Sequence, residues 1–303
     1  MARRMERDTG PALRVLALVI SAVLAATLLV AVPPSTPTAS AQSLTCAGQD
    51  YNGLHSANPW QRVTQGYFKQ GSFAATKVSG STTSNINWTK NPYRHNGWQT
   101  WFHSLKWLGD LVLRSGGRTN GGPKVTTSQK HAALDHALAV TRDYVRDNPV
   151  AGYGSVQTRS AKHRLHFLGC LAEADQELNG SIRSWLRTAI DDTAGAVQGS
   201  YSGNWNQGLD DAFAVAFAGC HVGSDQLMTW GTGKLNDLSK TLIDAQGATS
   251  EQSVGYSQYV YRRWKLVQQQ LTTCGVTLPT ALDTRLDRMP LFLAHATDPS
   301  GHY

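Results

Sequence analysis

The sequence lacks the motifs of several large functional classes. It has no C-x-x-C pair and no His/Cys spacing typical of zinc ligands. The glycine-rich segment 115–123 lacks the Gly-Lys-Ser/Thr ending of a phosphate-binding loop. Lysines and arginines form no long run, so no nucleic-acid partner is predicted. We therefore predict no cofactor and no metal within this chain.

Long apolar segments are also absent, except at the N-terminus, which has the pattern of a secretory signal peptide. An apolar run at 15–32 follows a basic region, and Ala-Ser-Ala at 39–41 matches a cleavage site. Residues 1–41 are the predicted signal peptide, and Gln42 begins the mature chain. An uncleaved membrane anchor is the alternative, because the run is near the shortest length that spans a bilayer. We expect a secreted protein, extracellular or periplasmic, with membrane contact only through this segment.

Charged residues make up only 16% of the chain, and hydrophobic residues make up 41%. With 303 residues, the sequence can form a large core, and its composition does not fit a disordered chain. The formal net charge is +7. This modest basic excess suits an acidic partner or simply solubility.

Cysteine is scarce. Cys46, Cys170, Cys220 and Cys274 remain after the predicted cleavage. An oxidising compartment permits disulfides, and these cysteines allow three pairings. Cys170 and Cys220 both follow a glycine inside a helical pattern, so buried free thiols are the alternative to bridges.

From residue 90 onward the pattern is almost wholly helical, after an extension with loops at 42–97. Apolar residues recur at the spacing of amphipathic helices, and no strand pattern is convincing. Capping-box spacing from Thr249 to Gln252 predicts a helix start near Ser250. Short connections predict antiparallel hairpins, which build a bundle, a solenoid, or a closed or partly closed (α/α) toroid. The predicted helices lie near 98–115, 126–147, 159–178, 181–198, 206–222, 225–245, 251–272 and 279–296.

Two segments, 201–210 and 251–259, place sugar-compatible groups at predicted helix starts. A helix start offers free N–H groups and a positive dipole end, so it favours anions. An amide at this position can bind the carboxylate of an acidic sugar. Asparagine is also a favoured N-cap, so capping is the alternative role. The residues concerned are Asn204, Trp205, Asn206 and Gln207 in the first segment, and Glu251 in the second.

A stripe of polar and aromatic residues follows the second helix start. Gln252, Tyr256, Tyr259 and Arg263 recur at helical spacing. Tyrosine is a poor base at its ordinary pKa of about 10. A nearby cation or helix dipole lowers that pKa, so Tyr256 is a candidate for proton transfer. Packing is the alternative role for both tyrosines.

Other titratable residues lie at helix starts. Arg159 and His163 follow the loop 153–158, and we place them near an acidic sugar; surface or packing roles are the alternative. Asp210 and Asp211 are adjacent, so their side chains point about 100° apart on a helix. We interpret both as acids at a helix start.

The order of these motifs resembles the N-terminal domain of the heparinase II/III-type polysaccharide lyases. The resemblance rests on Asn-Trp-Asn-Gln-Gly-Leu-Asp-Asp-Ala at 204–212, on Trp230, and on Glu-Gln-Ser-Val-Gly-Tyr-Ser-Gln-Tyr at 251–259. It covers about 145–273 and implies an all-α, incomplete (α/α) toroid of antiparallel helical hairpins over 98–297. In that family a β-sandwich follows, which supplies further site residues and sometimes a metal. Residues 298–303 then resemble the start of such a domain.

The family cleaves uronate polysaccharides by β-elimination. The resemblance implies that Asn206 neutralises the substrate carboxylate and that Tyr256 acts as base, acid or both. Gln207 stands where the family commonly has histidine, and an amide cannot transfer a proton at neutral pH. The predicted substrate is a heparin- or heparan-like, chondroitin-like or alginate chain. The implied substrate-binding residues are Asn204, Trp205, Gln207, Glu251, Tyr259, Arg263, Arg159 and His163.

Two other functions fit the same features. Gln207 favours a non-catalytic protein that binds acidic glycans on the same fold. A glycoside hydrolase needs two carboxylates separated across a cleft. Glu251 with Asp210 is the pair that the sequence offers.

Overall fold

The computed structural model describes residues 53–117, 124–251, 253–297 and 300. The predicted signal peptide, Cys46, Gln252, most of segment 115–123 and nearly all of 298–303 lie outside these ranges. Within the described ranges, helices α1 (Leu54–Ala57) and α2 (Trp60–Thr64) precede a short antiparallel pair, β1 (Tyr67–Phe68) and β2 (Thr76–Lys77). The longer helices are α3 (Asn96–His103), α4 (Gly109–Ser115), α5 (Thr127–Asp147), α6 (Ser155–Asn179), α7 (Ser184–Gly199), α8 (Asn206–Val222), α9 (Asp225–Thr241), α10 (Val254–Thr272) and α11 (Thr280–Ala296).

The longer helices form two layers. Helices α3, α6, α8 and α10 pack side by side, and α6, α8 and α10 each pair with the helix that follows them in the chain. The connections within these pairs are short, so each pair is an antiparallel hairpin. The architecture is an all-α, incomplete (α/α) toroid, as predicted. We call α3, α6, α8 and α10 the inner helices.

The predicted helix near 98–115 is divided in two. Leu105 has a φ of 59°, and a 3-10 turn at Lys106–Leu108 leads into α4. The Ser104 hydroxyl donates to the Trp101 carbonyl at 2.6 Å and accepts from the Lys106 N–H at 3.2 Å. This side chain competes with the helical hydrogen bonds, which the apolar spacing alone does not reveal.

The start of α10 also differs from the prediction. The helix begins at Val254 rather than near Ser250, and Ser253 is its N-cap. Thr249 does not cap a helix: it pairs with Ile243 in an isolated β-bridge, and its hydroxyl contacts that of Ser257 at 3.0 Å. The capping-box spacing was therefore misleading.

Helix α8 is the centre of the core, because its residues 208–219 are all buried. Close packing against α9 depends on glycine. A Cβ at Gly231 would lie 2.5 Å from the Ala216 nitrogen, and one at Gly219 would lie 2.7 Å from the Leu227 Cβ. No helix in the described ranges has the length and hydropathy to cross a membrane.

A disulfide joins Cys220, near the end of α8, to Cys274, just after α10, with their Cα atoms 5.9 Å apart. Cys170 is also disulfide-bonded. The free-thiol alternative is therefore wrong for Cys170 and Cys220. The Cys220–Cys274 bridge fixes two inner helices to each other at their C-terminal ends.

Aromatic side chains fill the space between α3, α5 and the 67–88 region. His103 lies among them, with its ring centroid 5.8 Å from that of Tyr144. Arg164 of α6 is buried and donates to the His103 carbonyl and to the Tyr144 hydroxyl, both at 2.9 Å. Burial and the nearby Arg164 lower the pKa of His103 to about 4. The imidazole is therefore neutral in the folded protein at pH 7.

Replacing both Cys220 and Cys274 by alanine should lower the free energy of unfolding by roughly 3 kcal/mol, because the bridge closes a long loop in the unfolded chain. The two residues are 54 positions apart. Urea unfolding without reductant, compared with the wild type, measures the difference. An unchanged midpoint would show that the bridge contributes nothing to stability.

The stability of the protein should fall in acid partly through His103. Because the folded-state pKa lies below the ordinary value, the unfolded chain binds the proton more readily between about pH 6.5 and 4. Stability is then complete above that window and is lost as pH falls through it. His103→Gln should reduce the loss between pH 7 and 4 by about 2 kcal/mol. Urea unfolding at both pH values tests this, with the exposed His295→Gln as control; equal losses in wild type and His103→Gln would contradict it.

Candidate functional site

The N-terminal parts of α6, α8 and α10 meet beside α3 and enclose a cavity of about 390 Å³. We call it the first cavity. Side chains from all four inner helices therefore reach one space, although they are far apart in sequence. Its lining residues are Thr100 and Trp101 of α3; Arg159, Lys162 and His163 of α6; Asn206, Gln207 and Asp210 of α8; and Tyr256 and Tyr259 of α10.

A second cavity, of about 520 Å³, adjoins the first. It is lined by Ser202, Trp205, Glu251 and Ser253, together with residues that also line the first cavity. The shared residues are Asn206, Gln207 and Tyr256, and we call them the junction. Trp205 and Tyr256 are 56% and 53% exposed, so both present large aromatic surfaces to solvent at this rim.

Glu251 holds the first residue of α8. The Asn206 N–H donates to one Glu251 carboxylate oxygen at 2.8 Å, and the Asn206 side-chain amide donates to the other at 3.0 Å. Asn206 is thus not an N-cap: Trp205 occupies the cap position without a side-chain hydrogen bond. The Glu251 carboxylate satisfies a free N–H at the positive end of α8 and fixes the direction of the Asn206 amide.

Gly208 sets the shape of the loop before α8. A Cβ at this position would lie 1.7 Å from the Gly203 carbonyl oxygen, so no other residue permits this approach. The Ser202 N–H donates to Asp211 at 2.9 Å. These two contacts fold residues 202–205 over the start of α8 and place Trp205 beside the junction.

Asp210 binds two residues of α10. The Tyr259 hydroxyl donates to Asp210 at 2.7 Å, and Arg263 Nε lies 2.7 Å from the other carboxylate oxygen. Burial raises the pKa of Asp210 to about 6, against the opposing effect of Lys162. Burial and the neighbouring Asp210 raise the pKa of Tyr259 far above its ordinary value. Tyr259 is therefore a neutral donor and not a base at pH 7.

Arg263 does not reach either cavity. It is buried, donates to the Tyr259 hydroxyl at 3.2 Å, and lines neither cavity. Arg263 was a predicted substrate-binding residue. In the structure the partners of Arg263 are Tyr259 and Asp210, one turn deeper.

Two lysines, one in the lining of the first cavity and one buried near it, carry positive charge in this region. Lys162 Nζ lies 3.4 Å from Asp211 and 3.4 Å from the Gln207 carbonyl oxygen. Lys106 is buried, and burial lowers its pKa to about 8 against the opposing effect of Asp210. Our sequence analysis did not single out Lys162. Its position three residues after Arg159, on the same helix face, was the available signal.

His163 stacks on Trp101, with ring centroids 4.8 Å apart. Burial, together with Lys106 and Lys162, holds the pKa of His163 well below its ordinary value. The imidazole is therefore neutral at pH 7, and its protonated form is disfavoured. Trp101 was not a predicted site residue, because in the sequence it is one of several apolar residues at helical spacing.

The predicted site residues separate into groups by position. The first cavity contains Arg159, His163, Asn206, Gln207, Tyr256 and Tyr259, and the second adds Trp205 and Glu251. Asn204 is exposed and lines neither cavity. Glu251 and Asp210, the pair required by a glycoside hydrolase, are engaged by Asn206 and Arg263 respectively. This arrangement disfavours the hydrolase.

Among the residues that the structure describes, one cluster has the composition of a metal site. Cys220, His221 and Cys274 place ligand atoms within 4.8 Å of one another. The two sulfurs are bonded to each other, however, and a disulfide offers no thiolate to a metal. The cluster therefore gives no support for a metal centre.

The fold is similar to that of solved polysaccharide lyases. Heparinase III superposes with a TM-score of 0.65 over 87% of this chain at 15% identity, and the heparinase III BT4657 gene product with 0.61 over 83% at 14%. Heparan sulfate lyase HepC from Pedobacter heparinus gives 0.56 over 84% at 17%. No protein-family model and no curated protein matches the sequence. The chain spans 40–41% of the length of these structures, and the likeness shows a shared heparinase-like helical fold.

Proposed function

We propose that this chain carries the helical part of a polysaccharide lyase that cleaves a uronate-containing glycan by β-elimination. The observation that carries the proposal is the junction, where an oriented asparagine and an exposed tyrosine lie between two cavities at helix N-termini. The heparinase-like fold supports the same reaction class. A heparan-like chain is the first candidate substrate, and chondroitin-like and alginate chains are the others.

The first step is neutralisation of the substrate carboxylate, which makes the neighbouring C–H acidic. The Asn206 and Gln207 amides lie at the positive end of α8 and can donate hydrogen bonds to that carboxylate. Arg159 and Lys162 add positive charge on the same side. These groups stabilise the negative charge that grows on the carboxylate as the proton leaves.

The second step transfers protons. In the uronate ring, C5 carries the carboxylate and C4 carries the leaving glycosidic oxygen. The C5–H bond breaks, the electron pair of that bond forms the C4–C5 double bond, and the C4–O bond breaks. Tyr256 reaches both cavities. As a phenolate it would accept the C5 proton, and the phenol so formed would donate that proton to the leaving oxygen on C4. His163, neutral and in the first cavity, is a weak base, so its role is to hydrogen-bond the sugar.

The proposal includes export from the cytoplasm. The signal peptide predicted at 1–41 and the Cys220–Cys274 disulfide both favour an oxidising compartment. An acidic polysaccharide is the proposed partner. A non-catalytic glycan-binding protein is the second candidate, favoured by Gln207, which cannot transfer a proton at neutral pH.

Tyr256→Phe should reduce lyase turnover at least about 100-fold, because the variant keeps the ring and loses the proton-transfer group. The assay follows the absorbance of unsaturated uronate with the full-length protein on heparan-like, chondroitin-like and alginate chains. Tyr261→Phe, on the same helix, is the matched control. If the wild type binds these chains but yields no new absorbance on any of them, the glycan-binding alternative replaces the lyase.

Glu251→Gln should lower kcat about tenfold with a smaller effect on KM, because Asn206 then loses a charged acceptor that orients its amide. The exposed Glu177→Gln on α6 is the control for loss of one carboxylate. Equal kcat for wild type and Glu251→Gln would mean that the orientation of Asn206 does not limit the reaction.

A further inference from the structure

A third cavity, of about 690 Å³, lies between α5, the start of α7 and the 81–85 loop. It shares no lining residue with the first two cavities. Arg142 and Arg146 project into it from successive turns of α5, and Arg183 and Trp185 come from the start of α7. Hydroxyl and amide side chains of the loop form the opposite wall. The proposed lyase chemistry uses none of these residues.

One buried carboxylate fixes two walls of this cavity. Asp143 accepts from the Ile86 N–H and from the Trp88 indole N–H, both at 2.9 Å, which anchors the end of the loop. The other Asp143 oxygen pairs with Arg146 of the same helix. The loop is therefore held in place before any ligand binds.

Arg183 is fixed in the same way by Asp175, which is fully buried. Its guanidinium donates to Asp175 at 2.6 Å and its backbone N–H donates to the other carboxylate oxygen at 2.9 Å. A second guanidinium nitrogen lies 3.7 Å from Asp135 on the cavity wall. Two of the three arginines, Arg146 and Arg183, thus have their charge balanced by carboxylates.

Arg142 is different. Its guanidinium lies 5.9 Å from the centre of the half-buried Trp185 ring, and within the described ranges no ion pair involves it. The cavity therefore combines one uncompensated cation with an aromatic platform and with fixed polar groups. Asp135 and Asp143 in the lining, and Asp147 beside Arg146, disfavour a densely charged ligand.

We propose that the third cavity is a second glycan-binding site, which holds a sparsely charged uronate oligosaccharide with one carboxylate on Arg142 and a sugar ring on Trp185. A sugar ring presents C–H groups to an aromatic face and vicinal hydroxyls to planar polar side chains, and both kinds of partner are present. The choice of glycan rests on the proposed function. The third cavity itself goes beyond the proposed function, because it would bind the glycan without cleaving it.

The test measures binding of an unsulfated alternating uronate–amino sugar oligosaccharide to the full-length Tyr256→Phe protein by calorimetry. Adding Arg142→Gln or Trp185→Ala should weaken binding about tenfold. The exposed Arg262→Gln removes the same charge elsewhere and should leave binding unchanged. If Arg142→Gln and Arg262→Gln weaken binding equally, the loss of one positive charge anywhere on the protein explains the effect, and the proposed site is overturned.

A second measurement does not depend on the variants folding well. Saturating oligosaccharide should slow amide hydrogen exchange in residues 81–86, and absence of that protection overturns the site. Turnover of short oligosaccharides by Arg142→Gln alone should equal that of the wild type. Binding that depends on Arg142 and Trp185, without turnover by the wild type, would retain the site while refuting the lyase.

Discussion

A helix that is buried on every side must still satisfy the free N–H groups of its first turn, and α8 meets this constraint at the rim of the toroid. Close packing through Gly219 and Gly231 holds the helix in the core. Its first residue, Asn206, then emerges beside α10, where Glu251 accepts from both its backbone and its side chain. The junction depends on this contact, because it orients the amide and holds the segment that leads into α10, and hence to Tyr256, beside the start of α8.

Charges behind the junction determine the register of the inner helices. Asp210 pairs with Arg263 of α10, while its neighbour Asp211 pairs with Lys162 of α6. Buried ion pairs contribute little net stability, but breaking one is costly because an unpaired charge stays buried. Their main effect is therefore geometric, because they fix the positions of α6 and α10 along the axis of α8. The same pairs leave Tyr256 as the exposed phenol and make Tyr259 a fixed hydrogen-bond donor.

The positions of the helices could be predicted from the sequence, but the contacts between helices could not. Apolar spacing gives α5 to α11 to within a few residues, because helix periodicity is a local property. The break at Leu105 depends on a side-chain hydrogen bond of Ser104, which spacing does not show. Helical spacing also placed Tyr256 and Arg263 on one face but could not show that Arg263 turns inward to Asp210. Pairings between helices are decided by packing, and a single sequence carries no direct record of them.

The disulfide between Cys220 and Cys274 lies at the opposite end of the same two helices that present Asn206 and Tyr256. From Cys220 to Asn206 the helix is roughly 20 Å long, so a relative tilt of about 1° at the bridge displaces the amide by about 0.4 Å. Proton transfer tolerates errors of only that order. The covalent link fixes the C-terminal ends of α8 and α10 relative to each other, and the packing and ion pairs between that link and the cavities set the tilt on which the separation of amide and phenol depends.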